Sequence, residues 1–290
     1  MQINSTSTMS WKSLHWLHKD IISFEKNQAF NNLFKNAVRT NIKMTESIQL
    51  ADNLLYFNPV DSDLDPDGYF SYQSPSSLIS TLQRYRLRRW TNGEITNNKP
   101  LVPGKEYSCH ERIKFIKPIG DSCFVSLQRT IRDSNDVTAI TEDRTLQYTN
   151  RIGDRSSALE EMAQETKQYE AVAGINISDL DVVKYCQMTN NPHRIHWDRD
   201  YCRTQEGIKD ILVPGPLITQ IMARLLCPNS ASLITRIKYK TVSPIYPFTP
   251  LRAIKVSPTA LWLADESKLY AKMEIKESHR DIMPDQHLEA

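Results

Sequence analysis

The same order of segments occurs twice along this chain: a helical apolar pattern, then several strand-like runs, a charged interval, and both again. That repetition restricts the fold more than any other feature. Each half must bury one helical face against one strand-rich surface. In the first half Pro75 opens "PSSLISTLQRYRLRRW", where Leu78, Ile79, Leu82, Tyr85 or Arg86, and Arg89 or Trp90 recur at helical spacing behind serines able to cap free amides. This spacing predicts a helix with one apolar face. "YSCHERIKFIKPIG", "CFVSLQRTIRD" and "AITEDRTLQYTN" follow as strands, with Pro118-Ile119-Gly120-Asp121 as a turn. In the second half "ISDLDVVKYCQMT" can supply a strand and a short helix, and "PGPLITQIMARLL" sets Leu217, Ile218, Ile221, Met222, Leu225 and Leu226 on one helical face. "SLITRIKYKTVSPIYP", "TPLRAIKVSP", "ALWLADE" and "KLYAKMEIKES" then read as strands. "IKFIKPI" (Ile113 to Ile119) and "IKYKTVSPI" (Ile237 to Ile245) add an echo between the halves. The predicted class is α+β, with a helix on an antiparallel sheet in each unit.

The two units are expected over residues 61–150 and 173–290, joined by a charged linker over 151–172 that lacks clear periodicity and reads as partly helical or disordered. Residues 1–60 are expected to precede them as an N-terminal extension of polar helix and loop. The stretch "PVDSDLDPDGYF" then serves as an acidic connector. Near the N-terminus, Trp11, Leu14 and Leu17 or His18 could share a helical face, and no acidic residue precedes Asp20. These features suit a mitochondrial targeting segment, yet no arginine precedes Arg39, and they suit a plain ragged terminus equally.

Composition excludes several classes of function. A net charge of +2 gives no strong pull toward nucleic acid or anionic membrane. No run of about 18 apolar residues is present to span a bilayer. Eight glycines form neither GxGxxG nor GxxxxGK[ST], which counts against a nucleotide-binding loop. The five cysteines are widely spaced and form no CxxC pair, so neither a disulfide framework nor a cysteine-rich zinc site is indicated. They read as reduced, mostly buried thiols of an intracellular compartment. No cofactor is expected.

Chemistry concentrates in "TNNPHRIHWDRDYC", Thr189 to Cys202, which holds two of the seven histidines. An imidazole exchanges protons near neutral pH. Asn191 supplies an uncharged donor and acceptor, Pro192 favours a defined loop over a continuous helix, and Asp198 or Asp200 can cap the turn that follows. A rigid loop of this kind meets the positional demand of acid–base catalysis. The same residues also make an ordinary polar surface turn. A metal site built on HxxH lacks a third ligand at a familiar spacing. Further on, Gly215 lies between Pro214 and Pro216 at the mouth of the apolar helix. Unpaired amides there could hydrogen-bond a thioester carbonyl and stabilise an enolate-like transition state. Pro-Gly-Pro also simply starts a buried helix.

"TNNPHRIHWDRDYC" followed by "EGIKDILVPGPL" resembles the hot-dog-fold hydratases and dehydratases of acyl thioesters. It is most like the branch that reads roughly T-x-N-x-H-R-I-H-Y-D and then H-G-P-L, near fungal mitochondrial 3-hydroxyacyl-thioester dehydratases and mesaconyl-CoA hydratase-like proteins. "RRWTNGEI", "KPLVPGKEY" and "ITEDRTLQY" look like the N-terminal half of that branch, so the resemblance covers about residues 65 to 275. It implies a double hot-dog, two units each with a long helix wrapped by an antiparallel sheet. In the wider family the active loop reads D-x-N-P-[LI]-H. Aligned on its last residue, His196 takes the catalytic histidine's place, Asn191 falls where the Asp stands, and His193 where the Asn stands. Trp197 replaces a Tyr and Pro214 a His, while Gly215 is kept as carbonyl donor. Because an amide cannot act as a base, the resemblance leaves most proton transfer to His196, with Asn191 orienting water or hydroxyl. It also implies substrate contacts for His193, Arg194, Trp197 and Pro214, of which His193 could instead share the proton work and Arg194 either holds the loop or meets a phosphate of the carrier arm.

The expected activity is reversible dehydration of 3-hydroxyacyl thioesters, on acyl carrier protein or CoA, in mitochondrial type II fatty acid synthesis. An acyl-CoA hydratase or thioesterase of the same fold, or a non-catalytic acyl-thioester-binding protein, are the alternatives. Because two fused units can replace a dimer of single ones, both a monomer and a homodimer are compatible with the sequence.

Overall fold

The computed structural model describes residues 10–43, 45, 47–81, 83–151, 156–228 and 233–280. Eleven strands of these residues form one antiparallel sheet. In chain order they are β1 (His15–Ile21), β2 (Val38–Thr40), β3 (Leu87–Asn97), β4 (Glu106–Ile119), β5 (Ser122–Arg132) and β6 (Thr138–Thr149). The second half supplies β7 (Ala171–Ile175), β8 (Leu233–Thr241), β9 (Leu251–Ser257), β10 (Ala260–Ala264) and β11 (Leu269–Arg280).

Across the sheet the order is β1-β4-β5-β6-β3-β8-β11-β10-β9-β7-β2. With β2 set aside, the strands of the first half stand in the order first, third, fourth, fifth, second. Those of the second half then follow in the reverse of that order. The halves are therefore topological copies that meet second strand to second strand, where Gly93 of β3 faces Tyr239 of β8. This is the expected double hot-dog. The echo between "IKFIKPI" and "IKYKTVSPI" is not part of the repeat, because β4 is a third strand and β8 a second one.

The helices are α1 (Phe24–Ala37), α2 (Pro75–Leu78), α3 (Ser156–Thr166), α4 (Asp179–Met188), α5 (Arg199–Tyr201) and α6 (Gly215–Leu226). Ser23 caps α1 by accepting from the Lys26 amide at 3.1 Å, and Phe30, Leu33, Phe34 and Ala37 form its buried stripe. α6 is buried on all sides from Leu217 to Leu226 and packs against β3 and β8 to β11. At 12 residues α6 is too short to persist alone. Each of Leu217, Ile218, Ile221, Met222 and Leu225 is at most 2% exposed, and each such burial contributes about 1.5–3 kcal/mol. Packing therefore decides its position.

Three expectations are corrected. The helix predicted from Pro75 stops after one turn, with Leu82 outside the described residues, and the chain enters β3 at Leu87. Arg89 or Trp90 fits the helical period, but Arg88 is anchored to Asp65 at 2.7 Å and the backbone pairs with β6 and β8. The presumed N-terminal extension is integral to the sheet and core from His15 onward, since β1 pairs with β4 along seven residues and α1 joins the main apolar cluster. Residues 1–9 of the expected targeting segment lie outside the described residues. Trp11 starts a 3-10 turn, and Leu17 and His18 belong to β1 instead of a helix. Within the interval 151–172, where the sequence allows a partly helical linker, Ala163 and Thr166 of α3 are buried and Met162 packs on Ile254, Ala264 and Leu269.

A buried ion pair ties the halves together beneath the sheet. Arg224 of α6 meets Asp52 at 2.8 Å, and neither side chain is more than 1% exposed. Asn27 and Asn31 of α1 accept from the same guanidinium, which lies 4.6 Å over Phe30. Gln220 donates to Asp52 at 3.3 Å and accepts from Tyr185 of α4 at 2.6 Å. Removing one member leaves the other charged and dry. Arg224→Ala is expected to cost about 3–5 kcal/mol, measured as a fall in the urea midpoint with an unchanged slope.

Candidate active site

The loop after α4 turns sharply at Asn190, which adopts a φ of 46°. The Asn191 amide then donates to the Cys186 carbonyl at 2.9 Å. Asn191 Oδ1 accepts the His193 N–H at 3.1 Å. Only an oxygen can accept that bond, so Nδ2 is the free end of the amide. Arg194–His196 form a 3-10 turn, and Asp198 caps α5 by accepting from Tyr201 at 2.9 Å. The returning strand of the loop is zipped in place. Leu212 N–H donates to Ile195 and Val213 N–H to Ile245, each at 2.8 Å, two residues before Gly215 opens α6.

His196 is 6% exposed, and its Nδ1 lies 2.8 Å from the Leu212 carbonyl. A carbonyl can only accept, so Nδ1 carries the proton and Nε2 the lone pair. Burial lowers its pKa to about 3, with His193 adding to the effect. The ring is therefore neutral and in a single tautomer.

Gly215 sits where no side chain fits. A Cβ there would come within 2.5–2.7 Å of the Trp90 side chain. Trp90 stacks on Tyr239 at 5.7 Å and 7°, and the Arg144 guanidinium lies 5.0 Å over its ring. Tyr239 can lie flat because Gly93 opposite it has no Cβ. As the first residue of α6, Gly215 presents an amide that has no partner within the helix, at the positive end of its dipole.

The first half of the chain contributes a carboxylate. Asp67 lies 3.4 Å from His193 Nε2 and 3.3 Å from Arg88 Nε. Burial alone would raise its pKa, but His193 and Arg88 outweigh that and hold it well below the usual range. Burial also lowers His193 despite the carboxylate beside it. Gly68, at φ 79°, lets this loop close on the other, since a Cβ would lie 2.6 Å from the Pro192 carbonyl. The Arg194 amide completes the junction by donating to the Asp67 carbonyl at 2.8 Å.

Beside these groups lies a cavity of about 1050 Å³ at the seam between the halves. Its wall includes Asn191, His193, His196 and Gly215 from the sequence-predicted set, with Trp90 and Arg88 from the first half. Arg194, Trp197 and Pro214 stand outside it. Arg194 pairs with Asp198 at 2.6 Å and lies 4.8 Å over Tyr201, which holds the loop. Trp197 is 51% exposed and donates its indole N–H to Pro192 at 3.0 Å. Pro214 is the residue before α6 and offers no polar side-chain atom. The His193 and His196 rings meet edge to face at 5.4 Å, and among the described residues no cluster of His, Cys, Asp or Glu is arranged to hold a metal.

Sequence reasoning did not find Asp67, Arg88 or Glu206 for the site. Asp67 was one acid among several in a connector, and nothing local links it to a histidine 126 residues later. Glu206, 3% exposed on the cavity wall, carries a pKa pushed up to about 8 by burial and by Asp67. Its neighbour Gly207 was the sole local cue, as a turn residue at φ 70°.

The family model described as hydroxyacyl-thioester dehydratase type 2 matches residues 51–247. A Saccharomyces cerevisiae protein named "Hydroxyacyl-thioester dehydratase type 2, mitochondrial" is 35% identical over 248 residues, covering 83% of this chain and 88% of that protein. HtdX of Mycobacterium tuberculosis superposes with a TM-score of 0.62 at 12% identity, over 90% of this chain and 99% of that one. A second M. tuberculosis protein, described as having a double hotdog fold, gives a TM-score of 0.51 at 11% identity over 93% and 98%.

The neutral His196 makes stability depend on acid in a defined direction. Its unfolded imidazole binds a proton below about 6.5, while the folded one resists to about 3. Stability is therefore full above the upper value and falls as pH drops through that window, by roughly 1.4 kcal/mol per pH unit for one proton. Chemical denaturation of His196→Gln is expected to show a shallower acid decline than wild type.

Proposed function

As the chain belongs to the hydroxyacyl-thioester dehydratase type 2 family, we infer that it catalyses the reversible loss of water from 3-hydroxyacyl thioesters to give trans-2-enoyl thioesters. It is a hydro-lyase of mitochondrial fatty acid synthesis, in keeping with the named compartment of its yeast relative. Its substrate is an acyl thioester, carried on acyl carrier protein or CoA. Among the described residues no helix is long and apolar enough to cross a membrane.

One observation carries the mechanism. The Leu212 carbonyl that fixes the His196 tautomer belongs to the short segment leading into Gly215, so base and amide are set on one cavity wall by one piece of backbone. The Gly215 N–H donates to the thioester carbonyl oxygen and stabilises the negative charge that gathers there as the C2 proton leaves. His196 Nε2 takes that proton. Asn191 Nδ2 donates to the C3 hydroxyl oxygen and holds it for departure. Asp67 and Arg88 fix His193 beside His196 and so keep the loop in register. Closing these groups in a largely buried cavity strengthens each contact.

Interconversion of 3-hydroxyacyl and trans-2-enoyl thioesters, followed spectrophotometrically, tests this function directly. Release of free thiol instead would mark a thioesterase. His196→Ala is expected to lower kcat by roughly 10²–10⁴-fold, the contribution of a positioned base. Gly215→Ala keeps the amide but displaces the helix tip from Trp90. Its kcat is expected to fall about 10²-fold, as a shift near 1 Å commonly causes, with the fold intact by circular dichroism.

A further inference from the structure

The departing hydroxyl needs a proton, and neither His196 nor Asn191 supplies one. The His196 Nδ1 proton is committed to Leu212, and an amide does not ionise near neutral pH. Glu206 is a third group on the same cavity wall. It ends the π-helical turn Cys202–Glu206, where Gly207 at φ 70° redirects the chain, and it is 3% exposed. Its Oε1 is buried without a hydrogen-bond partner among the described residues. An unpaired carboxylate is strongly disfavoured in such a place, so the acid form is the stable one.

The charges around it agree. Asp67 raises its affinity for a proton, while Arg86, Arg88 and Arg89 oppose this without overcoming burial. Arg88 is engaged by Asp65 and Asp67, and Arg89 donates to the Arg151 carbonyl. Tyr201 and Cys202, in the same turn, have pKa values raised to about 12 and bring no charge near neutrality.

We propose that Glu206 is the catalytic acid of the dehydration, giving its carboxyl proton to the C3 oxygen as the C–O bond breaks. The inference rests on the dehydratase function inferred above. His196 Nε2 takes the C2 proton, and the electron pair of that C–H bond becomes the second C2–C3 bond. The C–O pair leaves on oxygen, and the Glu206 proton completes the water molecule. An imidazolium and a carboxylate result, and proton transfer between them through water restores the starting forms.

The test compares wild type, Glu206→Gln and Glu206→Asp on a 3-hydroxyacyl thioester and on the matching 3-chloroacyl thioester, whose chloride departs without a proton. Glu206→Gln, isosteric and uncharged, is expected to lose roughly 10²–10⁴-fold in kcat on the hydroxy substrate with little change in KM, yet to stay within about threefold of wild type on the chloro substrate. It should also lack the alkaline decline expected of wild type near pH 8, and Glu206→Asp should recover part of the rate. An unchanged rate on the hydroxy substrate overturns the inference, as does an equal loss on both substrates, which marks a structural role. A wild type that turns over neither substrate fails as a dehydratase altogether, and the two failures are thereby told apart.

Discussion

The position of the α6 tip on the cavity wall depends on a close contact between two aromatic rings and two glycines. Tyr239 lies flat over the seam because Gly93 has no side chain, Trp90 stacks on it, and Gly215 rests against the indole. A helix has freedom to slide along a sheet; this one is stopped by a rigid planar pair. Trp90 and Gly93 come from the first half of the chain, Tyr239 and Gly215 from the second. The start of α6 is thus fixed by the joining of the units, and an isolated second half would lack the surface that sets its own helix tip.

The molecule handles buried charge in two ways. In the interior of the first half, Arg129 meets Glu111 at 3.0 Å and Glu142 at 3.5 Å, while Arg144 meets Glu142 at 2.6 Å. Two cations and two anions balance there, and Tyr72 and Asn53 add hydrogen bonds to the carboxylates. Such pairs hold structure and leave nothing to react. At the cavity the balance is incomplete. Asp65 and Asp67 share Arg88, His193 is dry and neutral-leaning, and Glu206 stands unpaired. Groups left with unmet demands in a dry space are the ones a substrate can satisfy.

What the sequence revealed follows from how local each feature is. The loop from Thr189 to His196 was legible because its residues act within a few positions of one another, and α6 because its apolar stripe is continuous. The helix expected over residues 75–90 failed for the converse reason. Trp90 falls at helical spacing from the residues before it, and the choice was made by Arg88 reaching Asp65 and by pairing with β8, some 150 residues away. α1 was read as polar helix, its burial missed, because its stripe of Phe30, Leu33 and Phe34 is diluted by Asn27 and Asn31, whose amides serve Arg224. Asp67 and Glu206 carry no local mark because their neighbours come from distant segments.

The mirrored strand order has a further consequence. Two identical chains that pair in this way must carry every change twice, so neither of their two pockets can be reshaped alone. Here the copies are joined covalently and have diverged: one provides the loop that carries His193 and His196, and the other the wall that includes Trp90 and Arg88. Substitutions at Ile119, Phe124 or Leu146 of that wall, away from Trp90 and Arg88, can refit the cavity to a longer or bulkier acyl tail without disturbing the groups across from it.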